Sequence, residues 1–264
     1  MIPRDYITEW RNKAPWVDDA QVEQDLVISK ALVDIFTHPL LSEALAFRGG
    51  TALYKLHIQP PARYSEDIDL VQVRAEPAGP IMDALQEILN PWLGDHRYKQ
   101  SAGRVTFYYR FGSEATPPVP LRLKVEINTR EHFAVDGFTK LPFEVSSRWF
   151  KGSCDILSYN LNELLGTKLR ALYQRSKGRD LFDLAVALKH PDADPARIIE
   201  IFGKYMDHGG HQVTKREFQE NLAAKLEDKN FGSDIGPLLS NDYEWNLEEM
   251  PARAIESLIA QLDD

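Results

Sequence analysis

The chain has 264 residues, enough for one large domain or two small ones, with the 43% hydrophobic and 27% charged content of an ordinary globular protein. One cysteine, Cys154, excludes an internal disulfide framework and a cysteine-rich zinc site, and no apolar run is long enough to span a membrane. A net charge of −9 excludes a nucleic-acid binder that relies on overall basic character, while leaving room for a local basic stripe or a basic partner.

The opening MIPRDYITEW lacks the apolar core of a signal peptide, so the expected compartment is a reducing cytoplasm. From Asp18 to Phe36 the pattern is helical: Val22, Leu26, Ala31, Leu32, Val33 and Phe36 recur mostly at three- and four-residue steps, and Asp18-Asp19 suit a helix start. Glu23 and Asp25 fall within this helix, either on a solvated face or bracing something inside. His38-Pro39 ends it, and 41–47 leads into the densest stretch of the chain, FRGGTALYKLHIQPPARYSEDIDLV.

That stretch reads as a Gly-Gly turn opening a short helix, then a loop, then a strand. Backbone N–H groups at Gly49, Gly50 and Thr51 would form a natural seat for phosphate. On a strand, alternate side chains share a face, so Asp67 and Asp69 point the same way while Ile68 and Leu70 pack on the other side. Ser65 and Arg63 join the aspartates if the strand begins that early. Two adjacent carboxylates repel unless a cation lies between them. Hard divalent ions, Mg²⁺ or Mn²⁺, prefer such oxygens and share them with substrate phosphates. A phosphate cradle followed by a D-x-D strand is the layout that nucleotidyl transfer needs, and a plain surface strand has no reason to set charges among Ile, Leu and Val.

Beyond Val71, residues 75–80 read as a loop and Ile81–Leu89 as an amphipathic helix ended by Asn90-Pro91. Arg104–Phe111 is rich in β-branched and aromatic residues and reads as a strand; Ser113–Pro120, with three prolines, is a connection. Leu121–Asn128 alternates cleanly, with Leu121, Leu123, Val125 and Ile127 on one face and Arg122, Lys124, Glu126 and Asn128 on the other. Residues 133–145 suggest a loop with one or two short strands. Tyr159–Tyr173 is helical on a stripe of Leu161, Leu164, Leu165, Leu169 and Leu172, and Gly178 is expected to interrupt it before a restart at Arg179 or Asp180. Lys168, Arg170, Arg175, Lys177 and Arg179 make the one concentrated basic run, and Asp180 and Asp183 follow it. The tail from Pro195 reads as helices at 197–206, 215–226 and 252–262. His208 and His211 flank Gly209-Gly210, which makes a flexible turn a better reading than a metal site.

The spacing G-G-T-x-L, then R-x-S-x-D-I-D-L, resembles the AbiEii/AbiGii group of the nucleotidyltransferase superfamily, toxins of bacterial toxin–antitoxin and phage-defence systems. The run K-L-R-A-L-x-x-R-x-K-x-R-D-L-F-D-L resembles that family's second signature, the V-E-x-D helix before the Gly-Gly turn is similar to its start, and E-I-N at 126–128 is similar to the segment carrying its third carboxylate. The two main signatures span about half of the chain. The resemblance implies an α+β fold: a mixed β-sheet flanked by helices over residues 1–150, and a mostly helical region over 151–264 that completes the active site. It implies an NTP with its triphosphate near Gly49, Gly50 and Thr51, and a metal on Asp67 and Asp69. Glu126 would be third ligand or base, and Lys168 the catalytic lysine, with Arg175 or Arg179 beside it. Asp180 or Asp183 would orient that lysine or engage the nucleotide. Ser65 is a position that some relatives use for inhibitory phosphorylation. The implied acceptor is RNA, notably the 3′ end of tRNA, held in a salt-sensitive way by the basic run at 168–179. Nucleotidylation of a protein hydroxyl and a non-catalytic nucleotide-binding protein are the alternatives. A cognate antitoxin is the implied protein partner, and no membrane is.

Overall fold

A computed structural model describes residues 2–264 and divides into two units, Met1–Tyr159 and Asn160–Asp264. The first begins with α1 (Arg4–Trp10) and α2 (Asp19–Thr37). Asp18 caps α2 by accepting from Ala20 N at 2.9 Å. This helix is buried around almost its whole circumference, including Glu23, Gln24 and Asp25, so the bracing reading of the acidic pair holds and the solvated one does not. Burial pushes the Glu23 carboxyl up to about 7, and its Oε2 accepts from the Glu114 backbone N–H at 2.9 Å.

Next come α3 (Pro39–Ala44), β1 (Leu45–Arg48), the short α4 (Gly49–Ala52) with a π-turn over Leu53–His57, and β2 (Asp67–Gln72). Then follow α5 (Gly79–Leu93), β3 (His96–Ser101), β4 (Arg104–Gly112), β5 (Pro120–Asn128), β6 (Thr139–Ser146) and β7 (Lys151–Ser158). The seven strands form one sheet in the order β3-β4-β5-β2-β1-β7-β6. β2 pairs parallel with β5 and β1 with β7, and the other pairs are antiparallel. The sheet is therefore mixed. One face is apolar: Ile68, Leu70, Val105, Phe107, Tyr109, Leu123, Val125 and Ile127 are all 0–1% exposed, and α2 and α5 pack against the sheet. The other face of β2 and β5 is the one that carries the charges.

The second unit is helical: α6 (Leu161–Gln174), α7 (Gly178–Ala187), α8 (Pro195–His208), α9 (Lys215–Glu227) and α10 (Glu249–Ser257). Asn160 caps α6 through Glu163 N, and Thr214 and Glu217 form a capping box on α9.

Three local expectations need correction. β2 starts at Asp67, so Arg63 and Ser65 lie in the preceding loop and not on the strand. α5 runs through Asn90-Pro91 to Leu93 and stops at Gly94, which has φ +82°; Pro91 is so near the helix end that it removes only one intrahelical bond. β3 and β7 were not anticipated, and the hairpin of β6 and β7 belongs wholly to the first unit.

Candidate active site

The register of the central strands sets the site. Asp67 lies opposite Lys124 and Asp69 opposite Glu126, and paired residues in a ladder share a face. On the other side of β2, Asp69 is opposite Arg48 of β1. Three carboxylates and two cations therefore meet on the charged face of neighbouring strands. Lys124 Nζ sits between Asp67 Oδ2 at 3.1 Å and Glu126 Oε2 at 3.2 Å. Burial works against the Lys124 charge, but Asp67, Asp69 and Glu126 outweigh it and raise its pKa. The carboxylate of Asp69 is pushed up by burial and by Asp67 and Glu126, against the pull of Lys124 and Arg48. Arg104 Nε also reaches Glu126 Oε1 at 3.2 Å.

Asp67 Oδ1 is buried with no hydrogen bond among the described residues, a costly state for a carboxylate oxygen in the absence of a cation. Asp67 and Asp69 thus suit a divalent ion shared with phosphate oxygens. Among the described residues, no three His, Cys, Asp or Glu side chains are gathered into a ready-made metal cage.

The Gly-Gly turn lies directly against these acids. Gly49 has φ +82°, and a Cβ there would stand 2.5 Å from Asp69 Oδ2; only glycine meets both demands. A Cβ at Gly50 would collide with the Arg63 guanidinium. Arg63 is buried and donates from Nη1 to the Tyr64 carbonyl at 2.9 Å. Thr51 Oγ1 donates to the Asp67 carbonyl at 2.5 Å and lies 2.8 Å from Ser65 Oγ, so these two hydroxyls lock the turn to the start of β2. Farther back, Asp25 Oδ1 accepts from Lys55 Nζ at 2.7 Å and from Trp10 Nε1 at 2.8 Å, and Lys55 also reaches Ser29 Oγ at 2.9 Å. The buried helix α2 thereby holds the π-turn that follows the glycines. Gly49→Ala is expected to cut activity by about a hundredfold or more while the fold persists, because the added methyl displaces the carboxylate; steady-state kinetics beside a thermal melt checks it.

In the second unit the helix does break, but over 175–177 and not at Gly178, which is the first residue of α7; Lys168 and Arg170 lie on α6, Arg175 and Lys177 flank the break, and Arg179 lies in the first turn of α7. Lys168 Nζ lies 2.9 Å from Asp183 Oδ2 and 3.3 Å from Asp180 Oδ1, all three side chains being at most 8% exposed. Arg175 grips Asp180 with two bonds, Nε to Oδ2 at 2.7 Å and Nη2 to Oδ1 at 2.9 Å. Burial alone would raise the Asp180 pKa, but Lys168 and Arg175 outweigh it and hold it below the usual carboxylate value. Both aspartates are thus within ion-pair distance of the lysine. Arg179 approaches Asp234 at 3.8 Å, and Arg170 lies over the Tyr205 ring at 4.8 Å. Most of this basic run is engaged by its own unit. Lys124, Arg48, Lys55 and Arg104 were not singled out from sequence; Lys124 and Arg104 sat in plain alternation on strands, and only the pairing register shows what they face.

The sequence matches the family described as nucleotidyl transferase AbiEii toxin, type IV toxin–antitoxin system, over residues 30–253. No curated protein matches it. Among solved structures, the chain is similar to MenT4, a nucleotidyltransferase toxin from Mycobacterium tuberculosis H37Rv, with a TM-score of 0.70 and 16% identity over 100% of this chain and 91% of that one. It is also similar to JHP933 from Helicobacter pylori, with a TM-score of 0.56 and 17% identity over 93% and 92% of the two chains. At these identities the structures speak for the fold, whereas the family match covers most of the sequence, both signatures included. The chain belongs to the AbiEii nucleotidyl transferase toxin family of type IV toxin–antitoxin systems and is a nucleotidyltransferase.

Proposed function

We propose that the protein moves a nucleotidyl group from an NTP to a hydroxyl at an RNA 3′ end, such as that of tRNA, with Mg²⁺ or Mn²⁺ bound at Asp67 and Asp69. The acceptor oxygen attacks the α-phosphorus, the bond to the β-phosphate oxygen breaks, and pyrophosphate leaves. The observation that carries this reading is the orphaned Asp67 Oδ1, buried beside Asp69 and next to the Gly-Gly turn. The ion would polarise the α-phosphoryl oxygens and offset the charge that builds during transfer. Gly49, Gly50 and Thr51 offer backbone N–H groups for the triphosphate. Glu126 is the base for the incoming hydroxyl or a further ligand, while Lys124 keeps it and Asp67 from repelling each other in the free enzyme. Lys168, held by Asp180 and Asp183, supplies positive charge to the nucleotide phosphates, with Arg175 fixing Asp180 behind it.

Family membership brings an antitoxin as the expected partner, and no helix of the described residues is long and apolar enough to cross a membrane. The test is incubation with each labelled NTP in turn, with total RNA or with protein alone, in Mg²⁺ and in EDTA. Label should enter RNA, disappear in EDTA and return on adding Mg²⁺. Label found only on protein would replace the RNA acceptor with a protein hydroxyl, and transfer that persists fully in EDTA would remove the metal from the site.

A further inference from the structure

The charged face of the sheet does not end at the carboxylates. From Asp67 the ladder runs across to Lys124, Tyr108 and Arg97, and from Asp69 to Glu126, Thr106 and Lys99. The neighbouring rows set Asn128 opposite Arg104, and Arg122 opposite Arg110. The other parity of the same strands (Val105, Phe107, Tyr109, Leu123, Val125 and Ile127) is in the core, so all these cations share the open face. On β3, β4 and β5 that face carries a single acid, Glu126, in a chain with 40 acidic residues against 31 basic ones.

Nothing in the fold asks for this arrangement. Arg97, Lys99, Arg104, Arg110 and Arg122 are exposed. Arg104 pairs with Glu126, but Arg97, Lys99 and Arg110 have no carboxylate partner among the described residues. Arg110 directly opposite Arg122 is a like-charge cross-strand pair, which costs stability. Tyr108 stands half-buried in the middle of the face, with the Arg122 guanidinium 5.5 Å from its ring centre. At the usual strand spacing, the outer strand β3 lies about 14 Å from β2. A stripe of free cations around an aromatic platform is how single-stranded nucleic acid is held, the cations following phosphates and the ring stacking a base.

We propose that this open sheet face, from Arg97 and Lys99 on β3 through Tyr108 to Lys124, binds the phosphate backbone of the single-stranded RNA whose end is extended at Asp67 and Asp69. This rests on the RNA-acceptor reading given above and moves the acceptor's seat away from the basic run at 168–179, whose cations are largely engaged. The face serves the acceptor and not the NTP, because its free cations lie on β3 and β4, beyond the strand that follows the Gly-Gly turn.

The test uses the full chain, a fluorescently labelled single-stranded RNA, and two double charge reversals. Arg97→Glu/Lys99→Glu changes the face; Lys151→Glu/Lys229→Glu changes the net charge equally at exposed positions elsewhere. The first should weaken RNA binding by about tenfold or more and reduce the slope of log affinity against log salt by about 1.4, two phosphate contacts at about 0.7 each. Its KM for RNA should rise in step, with KM for NTP and the melting temperature unchanged. The second should behave like wild type. If wild type extends RNA but both variants bind RNA equally, the face is wrong and the function stands. If wild type extends no RNA, the acceptor assignment fails and takes the face with it. A rise in KM for NTP alone, or polyglutamate bound as tightly as RNA, also overturns the proposal.

Discussion

Asp69→Asn should lower nucleotide transfer by about a thousandfold or more and, in EDTA, should raise the melting temperature above that of wild type. The first effect follows from removing a full negative charge from the proposed metal seat, where one well-placed group is commonly worth about 10²–10³ in rate and a metal's Lewis-acid contribution adds to that. The second follows from the crowding of Asp69. Its pKa is raised by burial and by Asp67 and Glu126, so the folded state holds its proton more tightly than the unfolded chain does. Such a group opposes folding as pH rises through its folded pKa and is neutral in effect below its unfolded value. Asn is a permanently uncharged stand-in, so its advantage should be absent in acid and should grow as pH rises to neutrality. With Mg²⁺ present the order should reverse, since the ion binds and stabilises only the wild-type carboxylates. Melts in EDTA and in Mg²⁺ across pH decide it. A variant less stable than wild type at neutral pH in EDTA would show that Asp69 is a structural acid, well satisfied without a cation.

How far the sequence reaches can be seen at particular residues. The pair Asp67 and Asp69, the Gly-Gly turn and the alternation of 121–128 are local patterns, and each reads correctly because period and chirality are properties of a few neighbouring residues. α2 was legible as a helix, but its burial was not: Glu23 and Asp25 can be read as solvated until the Glu114 backbone is brought to the first and Lys55 and Trp10 to the second. β3 escaped because HRYKQS sits at the edge of the sheet, with one ring-bearing face and one charged face and no aliphatic alternation. β7 escaped because Gly152, Cys154 and Asp155 interrupt its apolar pattern. Lys124 gave no local signal at all. Its position between Asp67 and Glu126 depends on a parallel pairing between strands separated by a helix and two other strands, which is information about register rather than composition. The basic run shows the same limit: its clustering is plain in sequence, but that Lys168 pairs with both Asp180 and Asp183, and Arg175 with Asp180, is visible only once α6 and α7 are packed together.

That cluster makes Lys168 the hardest residue to interpret by simple removal. Lys168→Met should abolish transfer, but it should also destabilise the helical unit by about 3–5 kcal/mol, the usual cost of leaving a buried carboxylate without its counter-ion, and so lower Tm by roughly ten degrees. Lys168 and Arg175 balance Asp180 and Asp183, and losing the lysine leaves a surplus negative charge at side chains that are 0% exposed. Lys168→Met/Asp183→Asn restores the balance and should recover most of the lost stability, giving a favourable coupling of several kcal/mol in a double-mutant cycle. It should recover none of the activity if the ammonium acts on the nucleotide. The pH response separates the roles further. Asp180 is held below its ordinary pKa, so its stabilising contribution is complete above the unfolded carboxylate value and fades only as pH falls through the folded one; in Lys168→Met this acid-side loss should begin at higher pH. Recovery of transfer in the double variant would make Lys168 a partner for a buried acid and nothing more, and the positive charge for the leaving pyrophosphate would have to come from another residue.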